Sequence, residues 1–259
     1  MNITMDNICV TIEKKTILHN VSLTLNKQEL VMLLGLNGSG KTTLMRTLLG
    51  VNKPQSGRIT LGDRDLLGMS EKERSKYLSY VPQSMHGDVN YSVEEYVLLG
   101  ITPAMNYFQV PGRKEEEKVH EVLKKFGIYD KRKQKLLSLS GGERQLTSLA
   151  RARIQETPWM VLDEPLANLD YVRQHEFIHR LAQYQEEYKQ GILMSVHDPN
   201  IALTYADTVV VLHNHKIADV LRRSEPLFEE ELMTVLNELY EAHLGLLTEK
   251  GNSLYYWKE

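Results

Sequence analysis

The sequence predicts an α/β fold, and three observations predict it. A short apolar run, 29–34, leads into Gly35-Leu36-Asn37-Gly38-Ser39-Gly40-Lys41-Thr42, and 43–49 follows with helical spacing. Three later apolar runs, 159–162, 192–196 and 209–212, have the length of buried strands and are separated by longer stretches. Residues 84–156 are helical in pattern and rich in charge, which reads as a helical subdomain inserted into a sheet core. At 259 residues the chain can hold one large α/β domain, or a core with such an insertion.

The glycine-rich stretch fits G-x-x-x-x-G-K-[ST] in every fixed position. Its glycines let the backbone curl around an anion. Amide N–H groups of Gly38, Gly40, Lys41 and Thr42 then point inward at a helix N-terminus, where the dipole favours negative charge. Lys41 is expected to reach the β- and γ-phosphates of a nucleoside triphosphate, and the Thr42 hydroxyl to ligate Mg²⁺. The expected nucleotide contacts are Asn37, Gly38, Ser39, Gly40, Lys41, Thr42 and Thr43. A glycine turn that merely precedes a helix rarely fills all of these positions.

Far downstream, Leu139-Ser140-Gly141-Gly142-Glu143-Arg144-Gln145 contains a capping box, S-x-x-E, opening a helix through Leu146, Leu149 and Ala150. Many helices begin this way. Two glycines directly behind the cap cost helix stability, about 1 kcal/mol each relative to Ala. That loss makes sense if a phosphate must approach bare backbone N–H groups at Ser140, Gly141 and Gly142. The chain's own glycine loop offers no obvious phosphate to this second device. A nucleotide held by a second molecule does.

The glycine loop, Gln83, the 139–145 heptapeptide, Asp163-Glu164, Asp170 and His197 stand in the order seen in ATP-binding-cassette ATPases, and the chain resembles that family up to about Arg223. The resemblance implies a P-loop NTPase (RecA-like) core with an antiparallel β subdomain and an inserted α-helical subdomain at about 84–156. Residues 1–223 would form this ATPase domain, and 224–259 a C-terminal helix–strand extension. The resemblance also implies a head-to-tail dimer with a second copy, trapping two MgATP between P-loop and opposing heptapeptide. Transmembrane permease subunits would be the partners, with a substrate-binding protein reached through them.

The catalytic roles follow residue by residue. The run 159–162 is expected to be a central strand, so Asp163 and Glu164 emerge at its C-terminal edge, where α/β sheets place ligand sites. Asp163 is expected to hold Mg²⁺ through a water, and Glu164 to polarise the attacking water. An isolated Asp-Glu pair is more often a solvated strand end. The strand before it and Pro165 after it change that reading. Gln83 follows 78–82, another expected strand, and the resemblance implies that it contacts Mg²⁺ or the lytic water. By the same resemblance His197 bonds the γ-phosphate while orienting Glu164, and Asp170 belongs to the loop that crosses the dimer interface.

Along the chain, 8–12 and 21–25 read as short strands and 57–62 as a hairpin. Val119, Val122, Leu123 and Phe126 form one apolar stripe opposite 115–118, Lys124 and Lys125, the pattern of a core-facing helix. Pro103 and Pro111-Gly112 mark loops. In the tail, 228–242 reads as an acidic amphipathic helix and 253–257 as a terminal strand. This tail, with 63–66, 80–83 and 96–100, resembles importer ATPases for iron-siderophore, haem or cobalamin uptake.

Composition sets bounds. Net charge is −3 and charged residues make up 25%, so no nucleic-acid partner is expected, since that would call for a basic stripe. The cluster 131–135 reads as a solvated loop. The single cysteine, Cys9, excludes an intramolecular disulfide and suits a reducing cytosol. No apolar run approaches the ~20 residues needed to span a bilayer, and no signal-peptide pattern is present. The expected location is the cytoplasmic face of a membrane, with the transport pathway in another polypeptide.

Three positions depart from the family pattern. Ile12 stands where an aromatic commonly stacks on adenine; His213-Asn214-His215 replaces a turn that usually contains Gly; Leu146 replaces a basic residue. Turns favour Asn and metal sites need three or four ligands, so 213–215 reads as a hairpin tip. The segment 84–96, with Met85, Gly87, Val89 and Tyr91, is expected to accept a short helix of a transmembrane subunit.

Overall fold

The computed structural model describes residues 1–83, 90–105 and 110–258. Met85, Gly87 and Val89 of the expected docking segment lie outside the described residues. The chain divides into two compact units, Met1–Met69 with Ile178–Glu259, and Ser70–Phe177.

The first unit opens with strands β1 (Ile3–Ile12) and β2 (Lys15–Leu25) in one antiparallel hairpin. Glu13 and Lys14 join them at φ 47° and 66°, two left-handed residues in succession, as a type I′ turn requires. Both strands are longer than their apolar runs suggest. Ile3, Met5, Ile8 and Val10 are buried, and the change of phase between Met5 and Ile8 is taken up by a register shift beside Asn7, φ 52°. Strand β3 (Leu30–Leu34) is buried along its whole length and leads to helix α1 (Lys41–Leu48). Strands β4 (Ser56–Leu61) and β5 (Arg64–Asp65) complete an antiparallel sheet of order β2-β1-β4-β5.

The second unit holds helix α2 (Glu71–Arg74), strand β6 (Leu78–Val81), and helices α3 (Val93–Leu98), α4 (Arg113–Lys125) and α5 (Gly141–Arg153). Strand β7 (Trp159–Leu162) runs parallel to β6, with Leu78 opposite Trp159 and Val81 opposite Leu162. Val119 and Leu123 of α4 are buried, as is Phe126 just beyond its end. The basic cluster is less solvated than its composition suggests. Lys131 pairs with Glu143, Lys133 lies 2.5 Å from Glu94, Lys135 donates to the Asn90 carbonyl at 2.8 Å, and Arg132 stacks 4.3 Å from the Tyr129 ring centre. These bonds tie the loop to the starts of α3 and α5. Helix α6 (Tyr171–Tyr188) follows, and the division between the units falls within it.

Back in the first unit, strand β8 (Gly191–Ser195) precedes helix α7 (Pro199–Tyr205) and the hairpin β9 (Thr208–His213) and β10 (Lys216–Arg222). Within this unit β8, β3 and β9 are parallel neighbours, with β10 antiparallel at the edge. Asn214 and His215 form the tip, φ 48° and 67°. The His19 amide donates to the His215 carbonyl at 2.8 Å, fastening the tip to β2.

The tail departs from the expected helix and single strand. Helix α8 (Phe228–Tyr240) is followed by a two-stranded hairpin, β11 (Leu244–Glu249) and β12 (Asn252–Trp257). The missed strand lacks apolar alternation, because Gly245 sits under the Tyr256 ring, which a side chain there would strike, and Thr248-Glu249 faces solvent. Among the described residues no helix is long and apolar enough to cross a membrane.

Candidate functional site

In the first unit Leu33 lies opposite Ser195, and the Val196 amide donates to the Leu33 carbonyl at 3.1 Å. The chain therefore leaves β3 at Gly35 and β8 at His197 from the same C-terminal edge, where open α/β sheets bind ligands. Gly38 and Gly40 take φ 79° and 111°, which side-chain-bearing residues resist. Gly40 caps α1 without a side-chain hydrogen bond, and the first turn holds no acidic residue. A helix start with no acidic residue in its first turn suits an external anion. Lys41 is 5% exposed, and its ammonium donates to the Gly35 and Leu36 carbonyls at 2.7 and 3.2 Å.

The loop suits a triphosphate. The Ser39 hydroxyl is buried with no hydrogen-bond partner among the described residues, a cost that an arriving phosphate oxygen relieves. Thr42 and Thr43 are half-buried in the first turn, while Asn37 is exposed on the loop's outer side. Ile12 is 40% exposed at the end of β1. His197 is exposed at the bend between β8 and α7, and its backbone carbonyl accepts from the Tyr240 hydroxyl at 3.4 Å.

In the second unit β6 and β7 end together, and the Asp163 amide donates to the Val81 carbonyl at 2.9 Å. This brings Gln83 to Glu164. The Gln83 amide nitrogen donates to the Glu164 carboxylate at 2.5 Å, across 81 residues of sequence. Glu164 is half-buried with φ 45°, a left-handed conformation costing about 1–3 kcal/mol for a residue with a side chain. Such strain gathers at functional sites. Asp163 is 2% exposed, a buried carboxylate of the hard-oxygen type that suits Mg²⁺.

Ser140 and Glu143 form the expected capping box. The Glu143 carboxylate accepts from the Ser140 amide at 2.8 Å, and the Lys131 ammonium, then that amide, hold its carboxyl below the usual range. The glycines behind the cap have a second reason to be glycine. A side chain at Gly141 would come 3.1 Å from the Asn168 carbonyl, and one at Gly142 within 3.5 Å of Leu169. The 168–170 turn thus rests against the start of α5. Asp170 is exposed and opens α6, accepting from the Arg173 amide at 3.0 Å and pairing with its guanidinium at 3.3 Å.

A family model described as ABC transporter matches residues 18–167, more than half of the chain. The chain belongs to the ABC transporter family. Members of this family are ATPases that drive transport, and this ABC chain is an ATP-binding, ATP-hydrolysing subunit. It is 32% identical over 228 residues to a probable iron chelatin transport ATP-binding protein of Helicobacter pylori, covering 88% of this chain and 89% of that one. It is 33% identical over 216 residues to the manganese transport system ATP-binding protein MntB of Bacillus subtilis, covering 83% and 84%. Among solved structures, a metal-chelate type ABC transporter in an inward-facing conformation superposes with TM-score 0.83 at 24% identity, covering 99% of this chain and 96% of that one. That likeness shows the fold, a P-loop ABC cassette.

Two residues of the ABC chain escaped the sequence reading. Tyr240, bonded to His197, and Asn200, bonded to β12, carry no motif and gain meaning only from contacts 43 and 55 residues away.

Proposed function

We propose that this ABC subunit energises the import of a metal chelate of the iron-siderophore, haem or cobalamin type through separate membrane subunits. The observation that carries the catalytic part is the Gln83–Glu164 hydrogen bond beside the buried Asp163. A carboxylate fixed at a strand's C-terminal edge, with a donor steadying one oxygen, keeps its other oxygen for a water. Lys41, the Gly38–Thr43 backbone and the Ser39 hydroxyl bind the phosphates, and Ile12 lies against the adenine. Thr42, Asp163 and Gln83 are the residues that would hold Mg²⁺. Bound there, the ion supplies charge stabilisation to the phosphates. His197 orients the reacting groups from the edge of β8.

Ser140 and the backbone N–H groups of Gly141 and Gly142 behind its cap complete the nucleotide site of a second copy, and Asp170 lines the same interface. Two copies then close head-to-tail over two ATP molecules and work on the permease from the cytoplasmic face of the membrane, with a substrate-binding protein feeding that permease.

The chelate reading is supported by the similarity to the Helicobacter pylori protein over nearly the whole of both chains. The similarity to MntB is as great, so a free metal ion is the competing cargo. Co-purification from membranes identifies the permease. ATP turnover and uptake in vesicles carrying that complex are then measured with ferric siderophore, haem, cobalamin and Mn²⁺. Stimulation by one of the chelates supports the proposal, and stimulation by Mn²⁺ alone overturns it.

A further inference from the structure

Helix α7 begins two residues after His197, and residues 223–258 grip it at both ends. At its C-terminal end the Arg223 guanidinium donates to the carbonyls of Ala206 and Leu203 at 2.7 and 2.6 Å. In its first turn the Asn200 side-chain amide behaves as a strand partner for β12. Its oxygen accepts from the Tyr255 amide at 2.7 Å, and its nitrogen donates to the Tyr255 carbonyl at 3.2 Å. Tyr255 is itself locked, 4% exposed, with its hydroxyl donating to the Glu229 carbonyl at 2.7 Å. The bend before α7 receives a further contact, the Tyr240 hydroxyl donating to the His197 carbonyl at 3.4 Å.

We propose that Tyr240 is a positioning residue for His197 in ATP hydrolysis, acting through the His197 backbone carbonyl. The inference rests on the reading of His197 given above. A carbonyl that accepts a side-chain hydrogen bond is restrained in position, and with it the planar peptide joining His197 to Asp198 and the Cα from which the His197 side chain leaves the edge of the sheet. Burial, and then the nearby Asp198 carboxylate, push the Tyr240 hydroxyl above its ordinary pKa. The hydroxyl is therefore protonated, and a donor, at neutral pH.

The test uses the full chain, purified, with MgATP. Tyr240→Phe deletes the donor and keeps the ring. The expected result is a kcat lowered about two- to tenfold, the worth of one neutral hydrogen bond, with KM for ATP and the thermal midpoint unchanged. Tyr255→Phe, which removes a hydroxyl from the same tail but remote from His197, is expected to leave kcat as in the wild type. In a His197→Ala background, the residual turnover is expected to be indifferent to Tyr240→Phe, since the group being positioned is gone. Wild-type kcat in Tyr240→Phe, alongside lost turnover in His197→Ala, overturns the inference and leaves the reading of His197 standing. Full turnover in His197→Ala overturns both. An equal fall in both backgrounds, or a fall that tracks a lower midpoint and is shared by Tyr255→Phe, assigns Tyr240 to stability and overturns the positioning role.

Discussion

The Gln83 side-chain amide donates to the Glu164 carboxylate at 2.5 Å, joining the ends of two parallel strands that lie far apart in sequence. The bond fixes one carboxylate oxygen and so makes the pair, rather than either residue, the unit to test. Replacing Glu164 by Gln is expected to preserve ATP binding and to lower turnover about 10²–10⁴-fold, the usual contribution of a general base. With hydrolysis stopped, ATP should convert monomer to dimer on a sizing column. Near wild-type turnover in this variant removes Glu164 from the mechanism.

Gln83→Ala leaves the carboxylate in place without its donor. A hydrogen bond to a charged group is worth about 1.5–3 kcal/mol when buried and less in the exposed setting seen here. Turnover should fall by about tenfold while ATP affinity holds. Steady-state kinetics with unchanged kcat would show that Gln83 does not steady the base.

Ser140→Arg places a bulky charge where a partner's phosphate is expected. Hydrolysis should stop while a single copy still binds ATP through Lys41, as read by fluorescent-nucleotide titration. Retained hydrolysis, or lost binding, sinks the shared-site reading. Because Ser140 also caps α5, Ser140→Thr serves as a control that keeps the cap and should keep most of the activity.

Ile12 is partly exposed just ahead of the Glu13-Lys14 turn. Base–aromatic stacking is worth about 1–3 kcal/mol by alanine substitution, and an isoleucine recovers part of it by apolar contact. Ile12→Tyr should tighten ATP binding several-fold. An unchanged Kd in calorimetry places Ile12 away from the base.

Acid should weaken Ser70–Phe177 through its capping boxes. Glu73, Glu95, Glu115 and Glu143 all have carboxyls held below their ordinary range. The cause is the cap hydroxyl at Ser70 for Glu73, and the backbone amides of Ser92 and Gly112 for Glu95 and Glu115. For Glu143 it is Lys131. A depressed folded pKa adds stability above the unfolded value and loses it as pH falls through the folded one. The thermal midpoint should therefore decline below about pH 4.3, the unperturbed glutamate value. Glu143→Gln should flatten part of that decline, and an identical acid slope refutes the assignment.

What could be read in the sequence was whatever chemistry confines to a few neighbouring residues. The glycine loop, the Ser140–Glu143 box and the Asp163-Glu164 strand end are local, and each stands where its spacing places it. So is the Asn214-His215 tip, which two left-handed residues close. What could not be read depends on distant partners. Strand β2 begins at Lys15 because it pairs with Ile12, although Lys15-Thr16 and His19-Asn20 break its apolar run. Strand β11 exists because the Tyr256 ring covers Gly245. The Gly141 contact with Asn168 gives a packing reason for a glycine that the sequence explains through phosphate alone. Tyr240 and Asn200 belong to the same class, as side chains whose partners are set by the fold.

The bonds from Tyr240 to His197 and from Tyr255 to Asn200 close loops of 43 and 55 residues. On the ribosome, at about 5–20 residues per second, those partners arrive roughly 2–11 s after the segment they restrain. The glycine loop and β8 can already be in place by then. A nascent chain therefore acquires its nucleotide-cradling backbone before it acquires the restraint on the histidine bend. Synthesis order by itself delays the completed site until the tail has emerged and folded back.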